Sequence, residues 1–293
     1  MRTIINLILA GSIICLSCKK KSSKEDMLDT NIESNRTKEI FVLSASGTGD
    51  TYQLINKALG GLNGDVLETP DCIHGNFGPH IKQIFDEDLK KYVFAFYLHV
   101  SPDNDKCKDV EVIDRQRNEI KTYDQSPDSL KGTLEETVKY SWKFKLDRNF
   151  QPSPKFTHIH QIKPIDGDAS LPIITLTARE KSGGRLEVIH TGGTGKNSDR
   201  GTFVQIPLSD FKGQWVEVSE KLTYSYKGQY EIKIIRVSDQ KVLLDQKITN
   251  IDLWRDGTTA CRPKWGMYRS LLEPSYLRDE EIRFNDFLIE EQK

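Results

Sequence analysis

The chain has 293 residues, of which 37% are hydrophobic and 29% are charged. Its 42 Lys and Arg residues nearly balance its 43 Asp and Glu residues, which leaves a formal net charge of −1. This balance excludes the strong overall charge typical of a nucleic-acid-binding protein, so we expect no nucleic-acid partner. Any recognition of anions must therefore depend on local groups.

The N-terminal segment is typical of an exported bacterial lipoprotein. An apolar run at residues 4–16 is short for a transmembrane helix but has the length of a signal-peptide core. It ends in Cys-Leu-Ser-Cys at residues 15–18, which resembles a lipobox with Cys18 as the lipidated residue, although cysteine stands where leucine is usual. We expect residues 1–17 to be a lipoprotein signal peptide; secretion after cleavage nearby is the alternative. Several acyl chains anchor a protein stably, so we expect a membrane-attached protein of the bacterial cell envelope, on the outer membrane surface or in the periplasm.

Beyond Cys18 the sequence is polar, and its Lys, Ser, Glu, Asp and Asn residues cannot form a core. We expect residues 18–43 to be a flexible tether. No internal repeat or second low-complexity linker follows, so residues 44–293 are predicted to form one domain, acting as a monomer.

Short runs of β-branched and aromatic residues recur along this domain, separated by Gly, Pro, Asn and Asp. This pattern is typical of an all-β sandwich, and we predict an antiparallel β-jelly roll. Helix is expected only at Thr51–Leu59 and at residues 81–89. The predicted strands are residues 91–100, 110–123, 137–146, 156–163, 173–178, 185–190, 201–206, 214–226, 230–237, 241–248, 264–270 and 281–289.

The cysteines of the domain are Cys72, Cys107 and Cys261, without a CxxC motif or a Cys/His metal spacing. One disulfide is expected in an exported protein, and the sequence leaves the pair open. A cysteine nucleophile is not expected.

The predicted strand at residues 110–123 is unusually charged. Alternation places Arg115, Arg117, Glu119 and Lys121 on one face. A solvated face with a ladder of salt bridges is one interpretation. A site for sugar carboxylates or sulfates is the other, because guanidinium groups bind such oxyanions with two parallel hydrogen bonds.

Two histidines, His158 and His160, are predicted to share one face of the strand at residues 156–163, where they could perform acid–base chemistry. No third ligand stands at a recognisable zinc spacing, so we expect no metal in the active site and no cofactor, while a structural calcium ion stays compatible with the sequence. His74 and His80 are interpreted as ordinary loop histidines.

The segment 262–270 carries the densest group of chemically useful side chains. Alternation predicts that Arg262, Lys264, Gly266 and Tyr268 share a polar face, with apolar side chains mainly on the other. Glycine between lysine and tyrosine is expected to leave a gap through which a ligand approaches the sheet.

Three segments, residues 117–121, 158–160 and 263–270, together resemble the signature strands of the jelly-roll polysaccharide lyases, the group of alginate lyases and heparin lyase I. In alginate lyases these strands read approximately Arg-Ser/Thr-Glu-Leu-Arg, Gln-Ile-His and Tyr-Phe-Lys-Ala-Gly-x-Tyr-x-Gln. The order is the same here. The resemblance implies a concanavalin A-like sandwich and β-elimination of an anionic, uronate-containing polysaccharide.

The resemblance also implies roles for individual residues. Arg117 would bind the substrate carboxylate, His160 would be a base or a carboxylate partner, and Tyr268 would be the general acid or base. Lys264 would contact the substrate. Apart from the resemblance, Arg115, Asn118, His158 and Arg262 are candidate substrate-binding residues, because positive or hydrogen-bonding groups must neutralise the uronate carboxylate. Since His158 stands where glutamine is usual, and the Lys264–Tyr268 spacing is closer to that of heparin lyase I, polymers of glucuronate or iduronate are expected rather than alginate.

An alternative function is a non-catalytic, surface-anchored glycan-binding protein with the same fold, because fold alone does not determine function. A retaining glycoside hydrolase is disfavoured. The sequence lacks a Glu-x-Asp-x-x-Glu strand that would supply its two carboxyl groups.

Overall fold

A computed structural model describes residues 40–61, 65–107, 111–180, 183–193 and 199–292. The predicted signal peptide, Cys18 and most of the predicted tether lie outside these residues. Within these ranges no helix combines the length and apolar character needed to span a lipid bilayer.

The described residues form a two-layer β-sandwich with a single regular α-helix. In chain order the elements are β1 (Ile40–Leu43), α1 (Thr51–Leu59), β2 (Leu67–Glu68), β3 (Ile81–Asp86), β4 (Lys91–Leu98), β5 (Arg115–Lys121), β6 (Thr137–Leu146), β7 (Thr157–Pro164), β8 (Ile174–Arg179), β9 (Arg185–His190), β10 (Gly201–Pro207), β11 (Trp215–Thr223), β12 (Gly228–Arg236), β13 (Val242–Ile251), β14 (Cys261–Ser270) and β15 (Glu280–Gln292).

Sheet A has the strand order β13-β12-β11-β6-β15-β4-β3, with β1 also paired to β15. Sheet B has the order β10-β9-β8-β7-β14-β5-β2. Neighbouring strands are antiparallel throughout these sheets. The predicted antiparallel jelly roll is confirmed.

Period-two alternation of apolar side chains produces the core between the sheets, and β6 shows it most clearly. Its Val138, Tyr140, Trp142, Phe144 and Leu146 are buried, while the residues between them are half-exposed. Aromatic residues of sheet B pack against this row across the sandwich. Burial of these large side chains supplies the main driving force for joining the two sheets.

Of the two predicted helices, one is confirmed. Helix α1 begins after Asp50, whose side chain accepts a hydrogen bond from the backbone N–H of Gln53, and it ends at Gly60 with φ 76°. Residues 81–89 instead begin with strand β3, so that prediction was wrong. The two isoleucines, three positions apart, gave a helix-like pattern, but pairing with β4 satisfies the backbone in an extended conformation.

Two further sequence expectations are sharpened by the fold. Strand β1 pairs with β15, so the sheet begins inside the segment expected to be the tether, because Ile40–Leu43 is an apolar, strand-forming run. The disulfide joins Cys72 and Cys107, whose Cα atoms are 5.5 Å apart. The third cysteine, Cys261, is buried with a free thiol.

Candidate active site

Three adjacent strands of sheet B, β5, β14 and β7, bring together the candidate residues on the outer face of the sandwich. In the register of these strands, Tyr268 lies opposite Arg117 on one side and opposite His158 on the other. The strand pairing therefore forms an Arg–Tyr–His row across the sheet. These residues are partly exposed, unlike the core residues on the other face.

The Tyr268 side chain lies between two guanidinium groups. Nη1 of Arg115 donates a hydrogen bond of 3.0 Å to the Tyr268 hydroxyl, and the guanidinium carbon of Arg117 lies 3.9 Å from the centre of the ring. Burial raises the pKa of Tyr268, and the two arginines only partly oppose this shift. The resting phenol is therefore neutral at physiological pH and can donate a proton.

His158 lies beside this tyrosine, with the two ring centres 5.7 Å apart. Its ring stacks on Phe156, and its Nδ1 is 2.8 Å from the Thr177 hydroxyl. Burial lowers the pKa of His158 to about 3; nearby cations, Arg117 among them, act in the same direction, while Glu119 opposes them. The imidazole is therefore neutral, and Nε2 makes no hydrogen bond to any described residue.

A buried network of charges supports this row from the side of β2. Lys264 is 2% exposed, and its Nζ lies 2.5 Å from Glu68 Oε2 and 2.7 Å from Glu119 Oε2. The same two carboxylates are 3.1 and 3.3 Å from Nη1 of Arg117, whose Nε donates to Asp105 at 2.7 Å. Lys264 is therefore a positioning residue within the network rather than an open substrate contact. Nη2 of Arg117 donates no hydrogen bond within the described chain and is the edge left for a ligand.

A second cationic group continues the face along β7 and β14. Lys163 lies opposite Arg262 in the strand register, and both are half-buried. Arg262 donates from Nη1 to the Thr122 carbonyl at 3.2 Å, whereas the amine of Lys163 has no ion-pair partner among the residues described. Burial and then the neighbouring cations, beginning with Lys264, lower the pKa of Lys163 to about 8. An anionic ligand would relieve this repulsion.

His160 is not on this face, contrary to the sequence prediction. A register shift between His158 and His160 on the β8 side breaks the alternation of β7 and turns His160 into the core. There its Nδ1 lies 2.8 Å from the Lys264 carbonyl oxygen, and its Nε2 lies 2.9 Å from Glu220 Oε2. At 1% exposure it cannot reach a polysaccharide without unfolding of the sandwich.

Two other predicted features have structural roles instead. Asn118 is buried between the sheets, where its Nδ2 donates 2.9 Å hydrogen bonds to the carbonyls of His80 and Tyr97. It therefore ties the sheets together and does not contact substrate. A Cβ at Gly266 would lie 2.2 Å from the Asn118 carbonyl, so this glycine, with φ 144°, permits close approach of strand β5 rather than of a ligand.

The sequence reasoning missed several members of the site. Lys163 could have been found from alternation, since it lies two residues after Gln161 on the polar side of β7. Glu68 could not, because β2 is only two residues long and pairs with β5 from a distant part of the chain. Phe156 and Thr177, which orient His158, also carry no local signal of their role.

The site is thus a neutral phenol and a neutral imidazole set on a cationic face of a jelly-roll sandwich, an arrangement suited to acid–base chemistry on an anionic carbohydrate. The sequence model of a polysaccharide lyase family, described as "Polysaccharide lyase", matches residues 91–287. The chain belongs to this family and is a polysaccharide lyase. No curated protein matches the chain.

Solved structures of lyases share the fold. The endo-β-1,4-glucuronan lyase of the fungus Trichoderma reesei is 13% identical, with a TM-score of 0.51 over 72% of this chain and 86% of that chain. The family 7 alginate lyase A1-II', in complex with a product, is 12% identical, with a TM-score of 0.50 over 77% of this chain and 94% of that chain. The alginate lyase Aly36B, in complex with an alginate trisaccharide, is 7% identical, with a TM-score of 0.54 over 87% of this chain and 98% of that chain.

Proposed function

We propose that this lyase cleaves a 1,4-linked uronate polysaccharide by β-elimination, with Tyr268 as the general acid and His158 as the base. The observation that carries the proposal is the row in which Arg115, Arg117 and His158 surround the Tyr268 side chain. It combines a proton donor, a proton acceptor and cations within one accessible patch. β-Elimination at a uronate needs these three kinds of group.

Neutralisation of the uronate carboxylate is the first requirement, because the C5 hydrogen is only weakly acidic. Nη2 of Arg117 is oriented by the three carboxylates that hold the rest of its guanidinium group. A hydrogen bond from this nitrogen to the substrate carboxylate would stabilise the enolate-like charge that develops as the C5–H bond breaks. Because the arginine is held in place beforehand, it needs little reorganisation during the reaction.

His158 is suited to take the C5 proton through Nε2, since its Nδ1 is bound to Thr177. Burial and neighbouring cations keep it unprotonated in the free enzyme. A bound substrate carboxylate would offset those cations and raise the basicity of His158 when the proton is transferred. The proposal thus names His158 as the base, where the sequence left the choice between His160 and Tyr268.

Tyr268 completes the elimination. The C5–H and C4–O4 bonds break, a C4–C5 double bond forms, and the phenol proton passes to the departing O4. Nη1 of Arg115 then stabilises the tyrosinate through its existing hydrogen bond. Transfer of the proton from His158 to the tyrosinate, through water, restores both groups for the next cycle.

The placement of both groups on one face indicates the sugar. A base and an acid on the same side favour syn elimination, in which the C5 hydrogen and the C4 oxygen leave from one face of the ring. In 1,4-linked glucuronate these two groups lie on the same side, and in iduronate they lie on opposite sides. Mannuronate shares this syn arrangement, so the placement of the acid and the base disfavours iduronate and guluronate only. The departures from the alginate-lyase pattern at His158 and in the Lys264–Tyr268 spacing favour glucuronate over mannuronate, and we therefore propose glucuronate at the cleavage point. Lys163 and Arg262 would bind the carboxylates or sulfates of neighbouring sugars.

The test is incubation with purified polymers of glucuronate, mannuronate, guluronate and iduronate, followed by ultraviolet absorbance of the new double bond. We expect the largest rate on the glucuronate polymer. A faster rate on an iduronate or guluronate polymer would contradict the syn assignment. Binding of all polymers without unsaturated products would instead support the non-catalytic glycan-binding alternative.

We also propose that the enzyme is anchored by lipid on Cys18 in the bacterial cell envelope. The support is the signal-peptide-like sequence at residues 1–17 and the polar segment that follows. Such an anchor would hold the catalytic domain close to a membrane of the cell envelope.

A further inference from the structure

We propose that His74, His80, His99 and Asp103 bind one divalent metal ion, with zinc as the ion best matched to the donor set. One ligand atom from each residue lies within 4.8 Å of the ligand atoms of the other three. Three imidazoles and one carboxylate are a donor combination that zinc accepts with four-coordinate geometry. The cluster is separate from the row around Tyr268.

The distances from the Asp103 carboxylate to the three histidines are close to those of a tetrahedral site. Asp103 Oδ1 lies 2.9 Å from His74 Nδ1 and 3.2 Å from His80 Nε2, and Asp103 Oδ2 lies 3.1 Å from His99 Nδ1. With bonds near 2.0 Å, neighbouring ligands of tetrahedral zinc are about 3.3 Å apart. Small rotations of the side chains would open space for the ion between these atoms.

A second carboxylate orients one of the proposed ligands. Asp71 Oδ1 lies 2.6 Å from His80 Nδ1, and the other oxygen of Asp71 accepts hydrogen bonds from Tyr52 at 2.7 Å and Thr69 at 2.9 Å. An Nδ1–H bonded to Asp71 leaves the lone pair of Nε2 directed at the cluster. This carboxylate–histidine arrangement is the usual support of zinc-binding histidines, and it is independent of the four ligands themselves.

The surroundings would exclude water while leaving a route for the ion. His80 and Asp103 are buried, whereas the side chains of His74 and His99 are 22% and 17% exposed. The ring of Phe77 packs 4.8 Å from His80 and 4.3 Å from His99, measured between ring centres. The apolar wall on one side strengthens interactions with a charged ion, and the two partly exposed histidines form the entrance.

The proposed ion would brace one wall of the active site. Two of its ligands come from the loop before β3, and the other two come from the loop that follows β4. The Cys72–Cys107 disulfide joins the same two loops. Two residues beyond Asp103, Asp105 holds Arg117 by a 2.7 Å contact. Gln116 donates to the Asp103 carbonyl at 2.8 Å, so the metal-binding loop is tied directly to β5. The role is therefore structural, since none of the four ligands belongs to the Tyr268 row.

The test begins with the intact purified protein, stripped by a chelator and then titrated with zinc. We expect one zinc per chain by elemental analysis and calorimetry, and a melting temperature that rises with zinc concentration because the ion binds only the folded state. Calcium and magnesium should give neither effect, since imidazole-rich sites bind them poorly.

Variants then locate the site. His74→Ala and His99→Ala change partly exposed side chains, so we expect folded proteins that have lost stoichiometric zinc. His190→Gln is the matched control, because His190 bonds to the Asp252 carbonyl outside the cluster and its change should leave one zinc bound. Cobalt should give the intense visible bands of a tetrahedral site in the parent and in His190→Gln, and not in His74→Ala or His99→Ala.

Either of two results would overturn the proposal. One is a folded parent protein that retains far less than one zinc per chain at saturating zinc. The other is stoichiometric zinc or a tetrahedral cobalt spectrum that survives both His74→Ala and His99→Ala. Neither depends on the lyase reaction, so failure of the metal site and failure of the proposed mechanism are distinguishable.

Discussion

The two histidines of β7 lie on opposite faces of the strand and differ in how many of their ring nitrogens have hydrogen-bond partners. On the outer face, His158 uses one ring nitrogen to bind Thr177 and leaves the other without a partner among the described residues. On the inner face, His160 has both nitrogens engaged, one with the Lys264 carbonyl and one with Glu220. Unused hydrogen-bonding capacity on a partly exposed face is available for chemistry, whereas fully used capacity in a core contributes to structure.

The inner cluster extends beyond this pair and explains why it belongs to the core. Glu220 also accepts a 2.6 Å hydrogen bond from the hydroxyl of Tyr230, and all three side chains are essentially buried. His160 packs on the indole of Trp142 with ring centres 4.3 Å apart. The contact between His160 in sheet B and Glu220 in sheet A crosses the sandwich, so it helps to fix how the two sheets are aligned. The comparison with His158 leads to tests that separate catalysis from stability.

Tyr268→Phe should have the largest effect on the outer face. It removes the only hydroxyl of the Arg–Tyr–His row but keeps the ring on which Arg117 packs. We expect kcat to fall by about 10²–10⁴-fold, the range for loss of a general acid, with little change in melting temperature. The measurement is the initial rate of double-bond absorbance. A variant with parental activity would remove Tyr268 from the mechanism.

His158→Asn and His160→Asn together test the comparison itself. We expect His158→Asn to lower kcat by about 10²-fold or more as a lost base, with a nearly parental melting temperature. His160→Asn should instead lower the free energy of unfolding by about 1–3 kcal/mol, because Glu220 loses a buried partner. The folded fraction of this variant should retain most of the parental kcat.

The measurements are urea denaturation and steady-state kinetics on both variants. The opposite pattern, with His160→Asn inactive but stable and His158→Asn active, would restore the role that the sequence resemblance implied for His160. Glu220→Gln is a matched control, because it weakens the same inner cluster without changing either histidine.

Lys163→Gln should have a smaller effect, mainly on substrate affinity. In the free enzyme the pKa of Lys163 is lowered to about 8, so its positive charge, and its attraction for a polyanion, is present below that pH and lost above it. We expect the parental KM to rise as the pH passes through about 8, and the KM of Lys163→Gln to be roughly fivefold higher already at neutral pH, equivalent to about 1 kcal/mol.

The KM values of the parent and of Lys163→Gln, measured across this pH range, should therefore converge at high pH. Lys247→Gln, on the outer edge of sheet A in β13, is a suitable control for general loss of charge. If the parent and Lys163→Gln show the same pH dependence of KM, Lys163 does not bind substrate.

Cys18→Ala should leave the catalytic rate unchanged and abolish attachment of the protein to the membrane. If Cys18 carries the proposed lipid, the variant should leave the membrane fraction, while its activity per folded molecule stays parental. Fractionation of cells that express both forms measures this. Retention of Cys18→Ala with membranes to the parental extent would contradict the lipobox interpretation.

The local pattern of apolar and polar residues was sufficient to predict most strands of the sandwich. The alternation in β6, β7 and β14 predicted strands at nearly the observed positions, and Asp50 and Gly60 bound the one confirmed helix. Prediction failed where local pattern was ambiguous, as at β3, which lies in an edge hairpin whose pairing depends on β4. For the active site, the sequence placed Arg115, Arg117, His158 and Tyr268 on strands that the structure does bring together.

Several features of the site depend on the tertiary structure and could not be predicted from the local sequence. A one-residue irregularity between His158 and His160 reverses which face a side chain occupies, and such a shift depends on the neighbouring strands rather than on the local sequence. Lys264 is buried because it forms ion pairs with Glu68 and Glu119. Glu68 lies on β2, which comes next to β5 only when the chain folds. The histidine cluster likewise joins separate loops.

The sequence by itself therefore determined the all-β architecture, the antiparallel strands and the residue types of a cationic acid–base site, because side-chain alternation and turn residues act over short distances. Tertiary structure decided which histidine lies on the outer face of sheet B, which cations of that face are paired with carboxylates, and that Cys72 pairs with Cys107. These outcomes depend on strand register and on contacts between residues far apart in the chain, which no local pattern specifies.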